Sequence, residues 1–133
     1  MIALDTNILL YACDRADPKR QQIAMELIAN SRDGVLLWQV ACEFVAASRK
    51  LGARGFTASD AWNRLGEFLN LFPLSLPTAG VLARAEQLHA TYGVSFWDAL
   101  ILAACTEAGV TLFYSEDVPG HPSIGALRIV NPF

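Results

Sequence analysis

Lysine is nearly missing from this chain: Lys19 and Lys50 are the only two, and with arginine they make 10 basic residues against 13 acidic. A formal charge of −3 excludes a protein that grips nucleic acid by bulk electrostatics alone. Local basic patches or bound cations would have to supply that attraction. Histidine is as scarce, and neither His89 nor His121 has a ligand-spaced neighbour. Cysteine numbers three, and Cys13, Cys42 and Cys105 stand far apart among apolar residues. That excludes a disulfide framework or a zinc motif and predicts reduced core thiols in a cytoplasmic protein. Mean hydropathy is positive, yet no uninterrupted apolar run approaches the roughly 20 residues that span a bilayer. The strongest stretch, 94–105, is split by Asp98. The start of the chain lacks the basic segment and cleavage site of a signal peptide. There is no GxGxxG and no P-loop lysine, and Ser48, Ser95 and Ser123 sit in no nucleophile motif.

What is present favours a packed α/β fold. With 53% hydrophobic and 17% charged residues over 133 positions, disorder is excluded and one domain over residues 1–133 is expected. A chain of this length buries roughly two-thirds of the surface its unfolded form exposes. Residues 2–4 form a short apolar run ending at Asp5, as a buried first strand does. Residues 7–13 suit a short helix. Asp17-Pro18 reads as an N-cap and first helical residue for a helix to about residue 29. Residues 35–38 predict a second buried strand, and 40–51 a helix punctuated by Gly52 and Gly55. Thr57 opens a capping pattern, after which Trp62, Leu65, Phe68, Leu69 and Phe72 recur at helical spacing. A short strand over 73–76 precedes a helix from Thr78 to Tyr92, stopped by Gly93. Ser95 caps a helix to about residue 108. Strands over 110–114 and 127–130 flank a loop over 115–125. Strands alternating with helices predict a three-layer α/β/α sandwich on a mainly parallel sheet.

Open parallel sheets carry their functional groups at the carboxyl ends of strands. Asp5 ends the first strand, Asp117 follows the 110–114 strand, and Glu43 lies early in the helix after the second strand. Asp98 lies at the start of a helix whose placement the sequence leaves open. Each acid also has a local structural role available. Asp5 can cap its following helix, Asp98 can meet the positive end of its own, and Asp117 can be a solvated loop residue. The set is more informative than its members. Glu43 is the only charge between Gly34 and Ala47, and Asp98 the only one between Glu86 and Glu107. Two carboxylates about 4 Å apart repel by roughly 4 kcal/mol at an effective dielectric of 20. Without a cation, one must take up a proton. No lysine or arginine inside these apolar segments offers neutralisation. All-oxygen ligation selects Mg²⁺ or Mn²⁺.

The blocks Ile2-Ala-Leu-Asp-Thr-Asn-Ile-Leu-Leu, Val40-Ala-Cys-Glu-Phe, Val94-Ser-Phe-Trp-Asp-Ala-Leu-Ile and Tyr114-Ser-Glu-Asp resemble, in order and spacing, the PIN-domain family. The likeness covers essentially the whole chain and runs to the compact VapC-type toxins of bacterial toxin–antitoxin pairs. It implies a metal-dependent endoribonuclease of the PIN fold using Mg²⁺ or Mn²⁺. Asp5, Glu43, Asp98 and Asp117 then become metal ligands or close catalytic acids, with Asp98 at the same edge as the others. Thr6, Asn7 and Ser115 are implied as polar helpers. The family often has threonine where Ser115 stands, and another acid and an aromatic where this chain reads Val118-Pro119-Gly120-His121. That departure makes Glu116 the alternative to Asp117 as fourth acid. Implied partners are an RNA substrate, an antitoxin covering the groove, and a second copy of the chain. An exposed apolar face over 56–72 would serve a homodimer.

Two other classes compete. A non-catalytic PIN-fold binding domain would keep the architecture without metal. A phospho-aspartate receiver or phosphohydrolase would also place an acid at the end of strand one. The receiver's lysine near the last strand is missing here, however, and Asp5-Thr6-Asn7 lacks the dehalogenase-type Asp-x-Asp. Arg15, Lys19 and Arg20, or Arg49, Lys50 and Arg54, are the patches that could guide a phosphate backbone.

Overall fold

The computed structural model describes residues 1–118 and 121–133. Pro119 and Gly120, in the block that departs from the family pattern, lie outside the described residues. The elements are β1 (Ile2–Leu4), α1 (Thr6–Cys13), α2 (Pro18–Asn30), β2 (Gly34–Leu37), α3 (Trp38–Ala47), a 3₁₀ segment (Ser48–Arg54), α4 (Ala58–Leu71), β3 (Leu74–Ser75), α5 (Ala79–Tyr92), α6 (Phe96–Glu107), β4 (Leu112–Tyr114), β5 (Ser123–Ile124) and β6 (Leu127–Val130).

Local chemistry explains most boundaries. The Asp17 carboxylate accepts from the Arg20 amide at 3.2 Å ahead of Pro18. Thr57 and Asp60 cap each other's backbone amides at 2.8 and 3.1 Å. Such caps typically stabilise a helix by about 1 kcal/mol. Gly93 ends α5 with φ +67°, a backbone state that costs glycine little. Three boundaries differ from expectation. Trp38 opens α3 instead of closing β2. The α3 helix stops at Ala47, where the Ser48 hydroxyl donates to the Val45 carbonyl at 2.7 Å and the chain tightens into the 3₁₀ segment. Within the expected 115–125 loop, Ser123–Ile124 pairs antiparallel with β6.

The six strands lie in the order β3-β2-β1-β4-β6-β5, and every pairing except β5 with β6 is parallel. Crossovers that step from β1 to β2 to β3 carry α1–α4 on one face. The reversal to β4 brings the packed α5–α6 pair to the other face, which completes the α/β/α sandwich. The point of reversal lies between β1 and β4, where open α/β sheets leave a crevice at their carboxyl ends.

The core is continuous across both interfaces. Ala3 and Phe113 on the central strands, Val40 and Phe44 on α3, and Leu102 and Ala103 on α6 are all fully buried. Burying each large apolar side chain contributes about 1.5–3 kcal/mol. The Phe44 and Phe68 rings meet edge to face with centroids 5.3 Å apart, joining α3 to α4. Gly34 admits the Phe72 ring, because a Cβ there would stand 2.5 Å from the ring edge. Cysteine burial departs from expectation: Cys105 is buried, Cys13 is half-buried, and Cys42 is exposed on α3. Cys42 therefore is not a core thiol. No described helix is long and apolar enough to cross a membrane.

Candidate active site

The strand ladder itself fixes the floor of the site. The Asp5 amide donates to the Tyr114 carbonyl at 2.9 Å, and the Ser115 amide to Val130 at 3.0 Å. Both residues are thus held just past the sheet's carboxyl edge, beside the β1/β4 crevice. The Asp5 carboxylate is 8% exposed. It accepts from the Thr6 amide at 2.7 Å and from the Ser115 hydroxyl at 2.6 Å. The capping role read for Asp5 is therefore real, but it occupies only one carboxylate oxygen. Burial pushes the Asp5 carboxyl up from 3.8 to about 6, against the pull of those two hydrogen bonds. The charges of Asp117 and Glu43 push it further in the same direction.

Glu43 enters from α3, which begins at this edge with no intervening loop. It is half-buried, and its Oε1 is buried without a hydrogen-bond partner among the described residues. Burial raises its pKa and the Asp98 charge adds to that, while the Gln39 amide opposes. Gln39, which the sequence did not single out, donates from Nε2 to the Trp97 carbonyl at 3.3 Å and so ties the start of α3 to the start of α6. Its signal was position alone, one helical turn before Glu43.

Asp98 lies in the first turn of α6, its amide capped by the Ser95 hydroxyl at 3.2 Å. The end of α6 leads straight into the β4 entrance, where Thr111 donates to the Met1 carbonyl at 3.0 Å. Twelve residues of helix, roughly 18 Å, carry its start back to the carboxyl edge. This answers the question of Asp98's placement that the sequence left open.

Asp117 is exposed in the loop after β4. The Asn7 side-chain amide donates to it, and its own amide donates to the Ser115 hydroxyl at 3.1 Å. Partial burial raises its pKa, as do Glu116 and Asp98, and Lys50 lowers it. Lys50, from the second of the candidate basic patches, is thus a cation within electrostatic reach of Asp117. Glu116 is engaged elsewhere: the Tyr11 hydroxyl donates to it at 2.6 Å, and that bond pushes the Tyr11 phenol up to about 12. Thr6 is buried with its hydroxyl unpartnered among the described residues. Of the two basic patches, Arg20 pairs with Asp17 at 3.2 Å and Arg54 with Asp14 at 3.1 Å, which leaves neither wholly free for a phosphate backbone.

The four acids are coupled in pairs: Asp5 with Asp117 and Glu43, and Asp98 with Glu43 and Asp117. Among the described residues no three histidine, cysteine or acidic side chains form a ready ligand cage. Asp5 and Asp117 instead spend oxygens on Ser115, Thr6 and Asn7. In donor chemistry and in charge the set fits a hard divalent cation: all ligands are oxygen, the buried Glu43 oxygen lacks a donor, and like charges meet at one crevice.

The chain overlays solved structures over nearly its full length. A toxin–antitoxin complex from Klebsiella pneumoniae matches with TM-score 0.71 at 19% identity, covering 100% of this chain and 98% of that one. The Mycobacterium tuberculosis toxin VapC20, which cleaves the sarcin–ricin loop, matches with TM-score 0.69 at 20% identity, covering 88% and 90%. VapBC2 from Rickettsia felis, bound to a DNA fragment from its promoter, matches with TM-score 0.70 at 17% identity, covering 98% of each chain. No protein with a curated description matches. The sequence pattern of the PIN domain matches residues 2–118, which takes in all four acids and the strands that hold them: the chain belongs to the PIN domain family.

Proposed function

We propose that this protein is a Mg²⁺- or Mn²⁺-dependent endoribonuclease acting in the cytoplasm as the toxin of a VapBC-type toxin–antitoxin pair. The observation that carries the reading is Asp5, a carboxylate buried at the β1/β4 crevice whose ionisation is opposed both by burial and by neighbouring acids. A group in that position is costly to keep charged without a cation, and functional sites are where such cost accumulates. Family membership and the fold shared with a toxin that cleaves the sarcin–ricin loop support RNA as the substrate class.

Asp5, Glu43 and Asp98 would hold the ion, with Asp117 beside them. When bound, Mg²⁺ or Mn²⁺ supplies Lewis acidity toward a phosphodiester and lowers the pKa of water. The chain's own contribution is positioning. The Ser115 hydroxyl and Thr6 amide orient Asp5, Asn7 orients Asp117, and the Gln39–Trp97 bond fixes the spacing of the helices that bear Glu43 and Asp98. The excess of acids also repels a bare phosphate backbone, so RNA approach is expected to depend on the cation.

Cleavage of a panel of cellular RNAs with Mg²⁺ or Mn²⁺, wild type against Asp5→Asn, tests the reading. Metal-dependent cleavage lost in the variant is the expected result. Full activity in excess EDTA or in Asp5→Asn overturns it. Retained fold with no Mn²⁺ binding would instead favour a binding domain that keeps the architecture.

A further inference from the structure

Two acids stand side by side in the loop after β4, yet they are held by different partners, and of the two only the charge of Asp117 is felt at Asp5. The reason lies on α1. Asn7 and Tyr11 are one helical turn apart, on the same helix face, and each donates to a different member of the pair. The Asn7 amide holds Asp117, and the Tyr11 hydroxyl holds Glu116 at 2.6 Å. The Tyr11 ring is itself fixed. The Phe133 ring meets it edge to face with centroids 5.0 Å apart, and the Arg20 guanidinium lies 5.5 Å from its centroid and 5.6 Å from that of Phe133. Arg20 is in turn paired with Asp17.

We infer that Tyr11 is a positioning residue that sorts the two loop acids, tethering Glu116 away from the crevice so that Asp117 alone is presented beside Asp5. Without the tether, Glu116 is a flexible carboxylate adjacent to Asp117 and competes for the Asn7 amide and for any cation. Among the described residues, the Asp117 amide also donates to the Ser115 hydroxyl. That bond fixes the backbone and does not choose between side chains. The inference deepens the nuclease reading and rests on it only for its catalytic consequence.

The test uses Tyr11→Phe, Glu116→Gln and the double variant. Tyr11→Phe keeps the ring in its Arg20 and Phe133 contacts and removes only the donor. The Asn7 side-chain amide resonances, which report the Asn7–Asp117 bond without any metal, are expected to be single and sharp in wild type. They should broaden or shift in Tyr11→Phe and return in the double variant, where position 116 has no charge to compete. Mn²⁺ affinity by calorimetry is expected to fall about tenfold in Tyr11→Phe and to recover in the double variant. A merely structural role for the hydroxyl predicts no such recovery. Unchanged Asn7 resonances in Tyr11→Phe, or a loss that persists in the double variant, overturns the sorting role. If wild type binds no Mn²⁺ and cleaves no RNA, the nuclease reading fails by itself, and the Asn7 resonances still decide the sorting.

Discussion

In the cavity of about 510 Å³ between α1, α2, α4 and the 3₁₀ segment, opposite charges meet. Arg54 pairs with Asp14 at 3.1 Å, and Arg64 pairs with Glu67 at 3.1 Å while lying over the Phe68 ring. At the carboxyl edge of the sheet, charges of one sign meet. The charges of Asp5, Glu43, Asp98 and Asp117 act on one another there, and Lys50 opposes them only at Asp117. The first region balances acids against bases, although the Arg64 Nε there is buried without a hydrogen-bond partner among the described residues. The second is less stable as it stands than with the charges removed. Strained charges of this kind accumulate at functional sites, so it is the unpaired cluster, not the charge-paired cavity, that marks the candidate site.

The sharpest way to break this contrast is Asp5→Asn. Removing the charge proposed to hold the ion is expected to lower cleavage by about 10³-fold, equivalent to the several kcal/mol a metal contributes. The same change should raise the melting temperature in the absence of metal, because the buried charge is gone and the Thr6 amide keeps an acceptor. Activity and stability moving in opposite directions is the signature, read by RNA cleavage and thermal denaturation on one sample.

The pH dependence of stability is next in size. Asp5 has a carboxyl near 6 in the folded chain against 3.8 ordinarily. Between those values the folded state holds more protons than the unfolded, so stability from this group falls as pH rises from about 4 through 6. The deficit reaches about 3 kcal/mol at neutral pH. Urea unfolding of wild type minus Asp5→Asn across pH 4–8 should trace this slope, and saturating Mn²⁺ should flatten it. A flat difference without metal would show that the edge is not under electrostatic load.

Glu43→Gln should follow, with a drop in Mn²⁺ affinity of about 10- to 100-fold and little change in stability, because its Oε1 already lacks a donor. The smallest effect is expected in the paired region. Glu67→Gln should alter stability by less than about 1 kcal/mol and leave cleavage unchanged, since half-exposed ion pairs contribute little. A large loss of cleavage there would erase the distinction between the two regions.

The sequence made some of this legible and hid the rest for identifiable reasons. Helix starts at Pro18 and Ala58 were readable because caps act within four residues, and the same holds for the Gly93 stop. The β5 strand was not readable, because two residues carry no periodicity, although the Gly125-Ala126 turn that pairs it with β6 is local. Glu43 and Asp98 announced themselves as lone charges in apolar helices. Tyr11 looked like one more apolar residue in Ile8-Leu-Leu-Tyr-Ala, and its hydroxyl partner lies 105 residues away. Trp62 and Leu71 are open on α4, as the 56–72 face suggested, but so are Trp38, Leu76, Leu82 and Trp97 around a second, apolar cavity of about 570 Å³. Which aromatic residues a sheet covers depends on strand order, and that is not local information.

The two outermost strands, Leu74–Ser75 and Ser123–Ile124, are only two residues each. An edge that short presents too few free amide and carbonyl groups to template a cross-β ladder. Pro73 and Pro77 bracket one of them, and neither can donate an amide to an incoming strand. A chain that is 53% hydrophobic is therefore guarded against fibril-like stacking at the margins of its sheet, and lengthening either edge by a hairpin would be expected to promote aggregation.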